Sequence, residues 1–366
     1  MSSSPAISPK KNWKKPAIGS REIKLLEKLS NACGVSGDEG AIRKLVLNEI
    51  RPLVDEIEFD AVGNILAVKH GKGSKLPRVM LAAHMDEVGF MLTHDEGKGI
   101  FRFELVGGID PRQLPGKQVW VGPDRLPGVI GMNAFHLSSA SERSSKPELN
   151  NLRIDIGPAH AKKVKTGDRA TFATSFLRTG PSLRGKALDD RLGVTTLISM
   201  LRNAPENIDL LAAFTVMEES GLKGAAVAGY TLNPDMAIAL DCTPALDLPV
   251  WDGSENTLYR SIPNQGPAIY VGDGSTLGDP RLVNLLRAAG DAYKIPYQIR
   301  QPGGGGTDAG TIHRQRAGIP SISMSVPGRY LHTAISIVQL KDWQHSAALI
   351  HAGLSHVDTN LLKKPR

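Results

Sequence analysis

The chain has 366 residues, of which 41% are hydrophobic and 22% charged, a composition typical of a globular protein with length enough for two domains. No apolar run reaches the roughly 18 residues of a membrane-spanning helix, and the first 20 residues lack the apolar core of a secretory signal. Cys33 and Cys242 are the only cysteines. A disulfide framework is therefore excluded, and we expect reduced thiols and a cytoplasmic location.

The formal net charge is +7, and the N-terminal segment contributes basic residues without any acid. A short basic arm can contact nucleic acid or an anionic surface. Only 5% of the residues are aromatic, and no run interleaves aromatic and basic side chains as single-strand binding requires. We therefore expect residues 1–19 to form a disordered basic tail, with no nucleic-acid partner and no membrane association. The basic side chains are Lys10, Lys11, Lys14 and Lys15.

The first part of the chain predicts an α/β arrangement. A helical pattern with apolar residues on one face begins at Ser20, and a second begins near Ser36 or Asp38. Two strand-like runs follow, residues 63–69 and 78–84.

The sequence pattern is different between about residues 87 and 180. Short apolar runs alternate there with turns rich in Gly, Pro and Asp, such as Leu114-Pro115-Gly116. Short strands at this spacing predict a small β-barrel or sandwich, with residues 138–150 as an exposed loop.

From about residue 184 the alternation of predicted helices and strands resumes, so we predict one α/β domain split by a β insertion. Its predicted helices are Asp189–Leu201, Leu222–Tyr230 and Pro280–Tyr293, and its predicted strands are Leu210–Met217, Met236–Asp241, 297–299 and 320–324. The glycine run 303–306 is not a phosphate-binding loop, because no Gly-Lys-Ser/Thr follows it.

Metal-ligating side chains lie at the ends of several of these strands. Glu218 and Glu219 follow one apolar strand, and His84 and Asp241 end two others. The carboxyl ends of strands are where α/β proteins build their sites. A hydrolytic site with two metals needs imidazole and carboxylate ligands and one carboxylate that bridges the ions. Asp189 and Asp190, in a turn before a helix, suit the bridging position; Asp86 is placed to orient His84, and His332 is a further candidate.

Each of these residues has an ordinary structural interpretation when taken alone. His84 and His332 fit satisfied, partly buried histidines, and Asp189 fits a helix N-cap. Asp241 fits a turn at a strand end, and the two glutamates fit a solvated edge. Their joint occurrence at strand ends favours the metal site.

Five ordered motifs carry a family resemblance. The chain resembles the di-metal aminopeptidases of the tetrahedral (TET) type, metallopeptidase family forty-two, over about residues 20–355. That family includes glutamyl aminopeptidases, and some members carry an endoglucanase label. The motifs are Ala83-His-Met-Asp-Glu-Val-Gly89, Gly185-Lys-Ala-Leu-Asp-Asp-Arg191, Glu218-Glu-Ser-Gly221, Gly305-Gly-Thr-Asp308 and Pro327-Gly-Arg-Tyr-Leu-His332.

The resemblance implies a role for each matching residue. One metal is expected on His84 and Asp241, the other on Glu219 and His332, with Asp189 bridging the two. Glu218 is the implied general base, and Asp86 is implied to orient His84.

The resemblance also implies an architecture and an assembly. We expect a three-layer α/β/α catalytic domain formed by residues 20–86 and 181–366, and an inserted β-barrel dimerisation domain formed by residues 87–180. A homododecamer built from dimers is implied. The chain departs from the family pattern at Cys242-Thr-Pro, at Gly328, which affects the expected substrate preference, and in its basic N-terminal tail.

The predicted function is a metal-dependent aminopeptidase that uses two divalent ions per subunit, Zn²⁺ or Co²⁺, and acts on peptides. Glu218 is expected to activate water and to return the proton to the leaving amine. The alternatives are a metal-dependent deacylase, an endo-glucanase, a scaffold without activity, and a nucleic-acid binder acting through the basic tail. Glycoside hydrolysis uses a carboxylate pair and usually no metal, so chelation separates it from the peptidase.

Overall fold

The structure is a computed structural model that describes residues 7–249 and 261–363. Its α-helices are α1 (Ser20–Asn31), α2 (Gly40–Ile50), α3 (Ala140–Ser144), α4 (Leu188–Arg202), α5 (Lys223–Leu232), α6 (Pro280–Tyr293), α7 (Ala309–Ile312) and α8 (Leu340–Leu354). The strands of the N-terminal half are β1 (Glu56–Phe59), β2 (Ile65–Lys69), β3 (Arg78–His84), β4 (Gly89–Gly97), β5 (Ile100–Val106), β6 (Gln118–Val121), β7 (Leu126–Gly131), β8 (Arg153–Asp155) and β9 (Arg169–Phe172). The remaining strands are β10 (Leu177–Thr179), β11 (Ser182–Gly185), β12 (Asp209–Thr215), β13 (Met236–Pro244), β14 (Ala268–Tyr270), β15 (Gln298–Arg300), β16 (Ser321–Arg329) and β17 (Ser336–Gln339).

A large mixed sheet forms the centre of the molecule. Its main strand order is β1-β2-β12-β3-β13-β16-β17-β11-β10, and β14 joins it through β16 while β15 pairs with β14. The four central strands β12, β3, β13 and β16 run parallel. Their carboxyl ends therefore meet at one edge of the sheet, where the polar residues of three sequence motifs come together.

Both faces of this sheet are covered by helices. In β3, the side chains of Val79, Leu81 and Ala83 join the core under α1, α2, α4, α6 and α8, whereas Met80 and Ala82 face the smaller core under α5 and α7. Successive residues of a strand point to opposite faces, so this near-continuous apolar run is what a strand buried on both sides requires. The predicted fold class, an α/β layered domain with an inserted barrel, is confirmed.

The inserted unit is a closed barrel with strand order β4-β5-β8-β7-β6-β9. It has its own apolar core, in which Phe90 packs edge-on against Phe103 and Phe172 with ring centroids 5.2 Å apart in both pairs. The barrel strands lie within residues 89–172, whereas β10 already pairs with β11 in the large sheet. No helix among the described residues is long and apolar enough to cross a membrane.

A buried ion cluster joins the barrel to the large domain. The ammonium of Lys186 bonds both carboxylate oxygens of Glu87 at 2.8 Å and the carbonyl of Ala32 at 2.7 Å. Thr171 of the barrel donates to the same carboxylate at 2.9 Å, and Arg191 approaches it at 3.4 Å. Because all these groups are buried, their mutual pairing is what makes burial of the charges tolerable.

The N-terminal segment differs from the predicted tail. Residues 7–19 have no regular helix or strand, yet Ile18 is 4% exposed and belongs to the main core. Trp13 packs against Tyr293 with ring centroids 4.5 Å apart, and Gln344 donates to the Ile18 carbonyl at 3.0 Å. The expectation of a disordered tail is wrong for these residues, because docking of isolated apolar side chains orders a segment that has no periodic pattern. Residues 1–6 lie outside the described residues.

Candidate metal centre

The ends of three parallel strands bring the candidate ligands together. His84 is the last residue of β3 and aligns with Thr215, the last residue of β12. Glu218 and Glu219 follow Thr215 after a short turn, and Asp241 lies near the end of the neighbouring strand β13. The fully apolar strand bodies are buried in the layered core, so the polar ends of these strands are what reaches the sheet edge.

Asp189 enters from a kink at the start of α4. Asp189 has φ −80° and ψ 108° and Asp190 has φ −119° and ψ 41°, so both are non-helical. The carboxylate of Asp190 accepts the backbone N–H of Gly193 at 2.8 Å and caps the regular part of the helix. The capping role considered for Asp189 thus belongs to its neighbour, and the Asp189 side chain is left to face the strand ends.

The two oxygens of Asp189 face two different groups. Its Oδ1 lies 3.3 Å from His84 Nε2, which is 4.0 Å from Asp241 Oδ1. Its Oδ2 lies 3.6 Å from His332 Nε2, which is 3.4 Å from Glu219 Oε2. Each group offers ligand atoms within 4.8 Å of one another, and Asp189 belongs to both.

The remaining nitrogen of each histidine is held from behind. His84 Nδ1 lies 3.2 Å from the Asp86 carbonyl and 3.4 Å from the Asp86 carboxylate. His332 Nδ1 lies 2.9 Å from the carbonyl of Gly108, a residue of the inserted segment. In both rings Nε2 is therefore the nitrogen directed at the shared carboxylate. The contact from Gly108 was not predicted from the sequence, since a backbone carbonyl leaves no mark in residue type.

Asp86 also fixes the position of the two glutamates. Its two carboxylate oxygens accept the backbone N–H groups of Glu218 and Glu219 at 3.0 and 3.1 Å. Met217, directly before them, has a left-handed φ of 54°, and His332 has a φ of 58°. Such strained positions persist only where the surroundings over-determine them, and they cluster at functional sites.

Electrostatics make this cluster a site for cations. Burial raises the pKa of Asp241 and of Glu218 well above their usual range, and repulsion from neighbouring carboxylates acts in the same direction. Burial likewise raises the pKa of Glu219 to about 7. The pKa of Asp189 is lowered: burial opposes this shift, but hydrogen bonds from His332 and His84 outweigh it. Buried carboxylates that repel one another are stabilised by a positive ion, so the chemistry of the donor set fits bound divalent metal.

The cluster opens into a cavity of about 520 Å³, whose lining includes His84, Glu218 and His332. The lining also includes Tyr270 and Arg300, which no motif singled out, and the glycine run 304–306. A pocket of this size accommodates a small ligand or the end of a peptide.

Asp308 is a further residue near the site to which the sequence assigned no role, although it ends one of the five motifs. It is 3% exposed and accepts a hydrogen bond from Thr215 at 2.5 Å. Burial raises the pKa of Asp308 to about 6. All seven predicted site residues lie together in the structure, and Asp308 lies behind them: His84, Asp86, Asp189, Glu218, Glu219, Asp241 and His332.

Comparison with known proteins identifies the family. Residues 63–349 match the family described as M42 glutamyl aminopeptidase. The lysyl aminopeptidase of Pyrococcus furiosus is 30% identical, over 91% of this chain and 96% of its own. The fold superposes on the aminopeptidase APDkam598 from the archaeon Desulfurococcus kamchatkensis with a TM-score of 0.88 at 31% identity, over 94% of this chain and 97% of that one. The TET1 peptidase of Pyrococcus horikoshii, which assembles into a tetrahedron or a large octahedral shell, is 32% identical with a TM-score of 0.79, over 92% and 100%. The chain therefore belongs to the M42 glutamyl aminopeptidase family and is a metal-dependent aminopeptidase.

Proposed function

We propose that the protein holds two divalent ions, Zn²⁺ or Co²⁺, with His84 and Asp241 on one, Glu219 and His332 on the other, and Asp189 bridging them. The observation that carries this proposal is the shared carboxylate, whose two oxygens face the two histidines at 3.3 and 3.6 Å. Mixed imidazole and carboxylate donors are the set that Zn²⁺ and Co²⁺ accept.

When bound, the ions supply Lewis-acid activation of water and of the scissile carbonyl. Glu218 acts as the general base, takes the proton from the attacking water and delivers it to the leaving amine. Among the described residues none donates a hydrogen bond to the Glu218 carboxylate, and burial raises its pKa well above the usual range. A carboxylate that faces the cavity and is not held by a protein donor is free to accept the proton of the water and to return it to the amine.

Asp86 acts as a positioning residue in this proposal. It is fully buried and touches the His84 ring on one side and the backbone of both glutamates on the other. One carboxylate therefore fixes a metal ligand and the general base with respect to each other.

The substrate is a peptide with a free amino terminus. Its amino group binds beside the cluster, where the carboxyl groups of Glu218, Asp189 and Asp241 line the cavity. An acidic pocket attracts an amine even though the protein as a whole carries a formal charge of +7.

The inserted barrel is the part of the chain to which we assign subunit pairing. We propose that residues 87–180 pair subunits into dimers, and that dimers build a homododecamer. The barrel is a separate folded unit with its own core, and it carries exposed apolar side chains at Val129 and Met132. Self-association is also described for the P. horikoshii relative.

A panel of aminoacyl p-nitroanilides tests the function directly. The purified protein is assayed after chelation and again after addition of Zn²⁺, Co²⁺ or Mn²⁺. Activity that disappears with chelator and returns with one of these ions supports the proposal. Hydrolysis of the p-nitroanilides that resists the chelator would contradict metal dependence. Soluble glucan cleaved faster than any peptide, and unaffected by the chelator, would support the glycosidase instead.

A further inference from the structure

We infer that Arg300 selects substrates whose N-terminal residue carries an acidic side chain. The inference rests on the aminopeptidase function proposed above and specifies its substrate class. The family description names glutamyl activity, whereas the P. furiosus relative is a lysyl aminopeptidase, so membership of the family leaves the preferred charge open.

Arg300 is held in a defined position on the cavity wall. It is the last residue of β15 and pairs directly with Tyr270, the last residue of β14. Its guanidinium carbon lies 4.3 Å above the centre of the Tyr270 ring. Its Nε donates to Thr243 Oγ1 at 3.1 Å, and one Nη donates to the Gly304 carbonyl at 3.2 Å. A planar group held by stacking and by two hydrogen bonds is preorganised to receive a planar carboxylate.

The charge of Arg300 has no counterion among the described residues. A third hydrogen bond reaches the Gly272 carbonyl at 3.5 Å, and all the acceptors are neutral. Burial raises the pKa of Tyr270 to about 12, so this phenol stays uncharged at neutral pH. A guanidinium has five N–H donors, and these three bonds leave two of them for a ligand.

Arg300 stands at the right distance from the reacting end of the cavity. Its partner Thr243 lies two residues after Asp241 on the same face of β13, about 7 Å along the strand at roughly 3.3 Å per residue. This separation matches the reach of one amino-acid side chain. Leu331 and Pro244 line the cavity with apolar surface for its methylene groups. A glutamyl side chain can therefore place its carboxylate against Arg300, whereas a lysyl side chain meets a like charge.

Kinetics on Glu-p-nitroanilide and Gln-p-nitroanilide test the inference, because the two substrates have the same shape and differ in charge. Neither substrate has a C-terminal carboxylate. Binding of a C-terminal carboxylate by Arg300 therefore cannot cause a difference in kcat/KM between them. We expect the wild type to prefer Glu by about 10- to 100-fold in kcat/KM, the size of a charge-assisted hydrogen bond. In Arg300→Gln the preference should disappear while Leu-p-nitroanilide is still hydrolysed, and Arg300→Lys should retain part of it.

Two further measurements complete the test. Calorimetry with free L-glutamate and L-glutamine should show a binding difference that is lost in Arg300→Gln. Arg184→Gln, an exposed arginine on β11, is the matched control and should keep the wild-type preference. Equal use of Glu and Gln by the wild type, or a uniform loss on all substrates in Arg300→Gln, would overturn the inference and leave the aminopeptidase function intact. Failure to hydrolyse any aminoacyl substrate would instead refute the proposed function.

Discussion

Replacement of Glu218 by Gln isolates the proton-transfer step from metal binding. The side chain keeps its shape, and the backbone N–H of residue 218 still reaches Asp86 at 3.0 Å. No described donor loses a partner, because none bonds to the Glu218 carboxylate. The change removes one of several buried negative charges that repel each other, so the fold should not be weakened.

The expected loss of turnover follows from the absence of a substitute base. Loss of a general base costs roughly 10²–10⁴-fold. Asp190 is committed to the Gly193 N–H and Asp308 to Thr215, and the other acidic groups facing the cavity belong to the two ion positions. We therefore expect the upper part of that range, about 10³–10⁴-fold in kcat, which corresponds to about 4–5.4 kcal/mol of activation free energy.

Steady-state kinetics on an aminoacyl p-nitroanilide, with elemental analysis of the same samples, measures both quantities. Glu218→Gln should retain wild-type metal content, and the ion-free form should melt no lower than the ion-free wild type. The neighbouring Glu219→Gln is the matched contrast, because it should lose about one ion per subunit. Near-wild-type turnover in Glu218→Gln, or loss of its metal, would refute the assignment of the two glutamates.

Three further predictions concern substrate, assembly and stability. Peptides with a free amino end should give an N-terminal ladder in mass spectrometry, and N-acetylated peptides should be cut at least tenfold more slowly, because the cap removes the ammonium group that the acidic cavity attracts; internal cuts would contradict this. Val129→Lys combined with Met132→Lys should lower the sedimenting mass while the isolated subunit keeps its fold by circular dichroism, and an unchanged mass would exclude this face of the barrel from subunit pairing. Lys186→Met should lower the free energy of unfolding by about 3 kcal/mol in denaturant unfolding, since the buried Glu87 then keeps only the longer contact with Arg191. The control Lys72→Met removes an exposed ion pair with Glu206 and should change nothing measurable. Equal effects of the two changes would contradict the reasoning.

Strong local patterns made part of the fold predictable. The strand at residues 78–84 and the helix at residues 280–293 have the predicted bounds, because their apolar periods and flanking turns are clear. Helix α8 was not predicted. Most of its residues are buried, including Trp343 and Ala347, so it lacks the polar face that marks an amphipathic helix.

The candidate site was likewise only partly predictable from the sequence. His84, Glu218 and Asp241 are visible in the sequence because each follows an apolar run. His84 ends β3 as predicted, whereas β12 ends before Glu218 and β13 continues beyond Asp241 to Pro244. Arg300 and Tyr270 were not predicted as site residues. The predicted strand at residues 297–299 overlaps β15, but the pairing of β15 with β14, which sets Arg300 beside Tyr270, depends on tertiary structure. The Gly108 carbonyl behind His332 escaped prediction for the same reason: contacts between distant segments leave no local pattern.

Metal content in the wild type and in Asp189→Ala tests the central claim most directly. Each sample is dialysed against Zn²⁺ or Co²⁺, freed of excess ion and analysed for metal per mole of folded chain. The shared carboxylate predicts two ions per subunit in the wild type and loss of both in Asp189→Ala, with His332→Ala losing mainly one. Two ions retained by folded Asp189→Ala, or a single ion in the wild type, would contradict the bridged di-metal site.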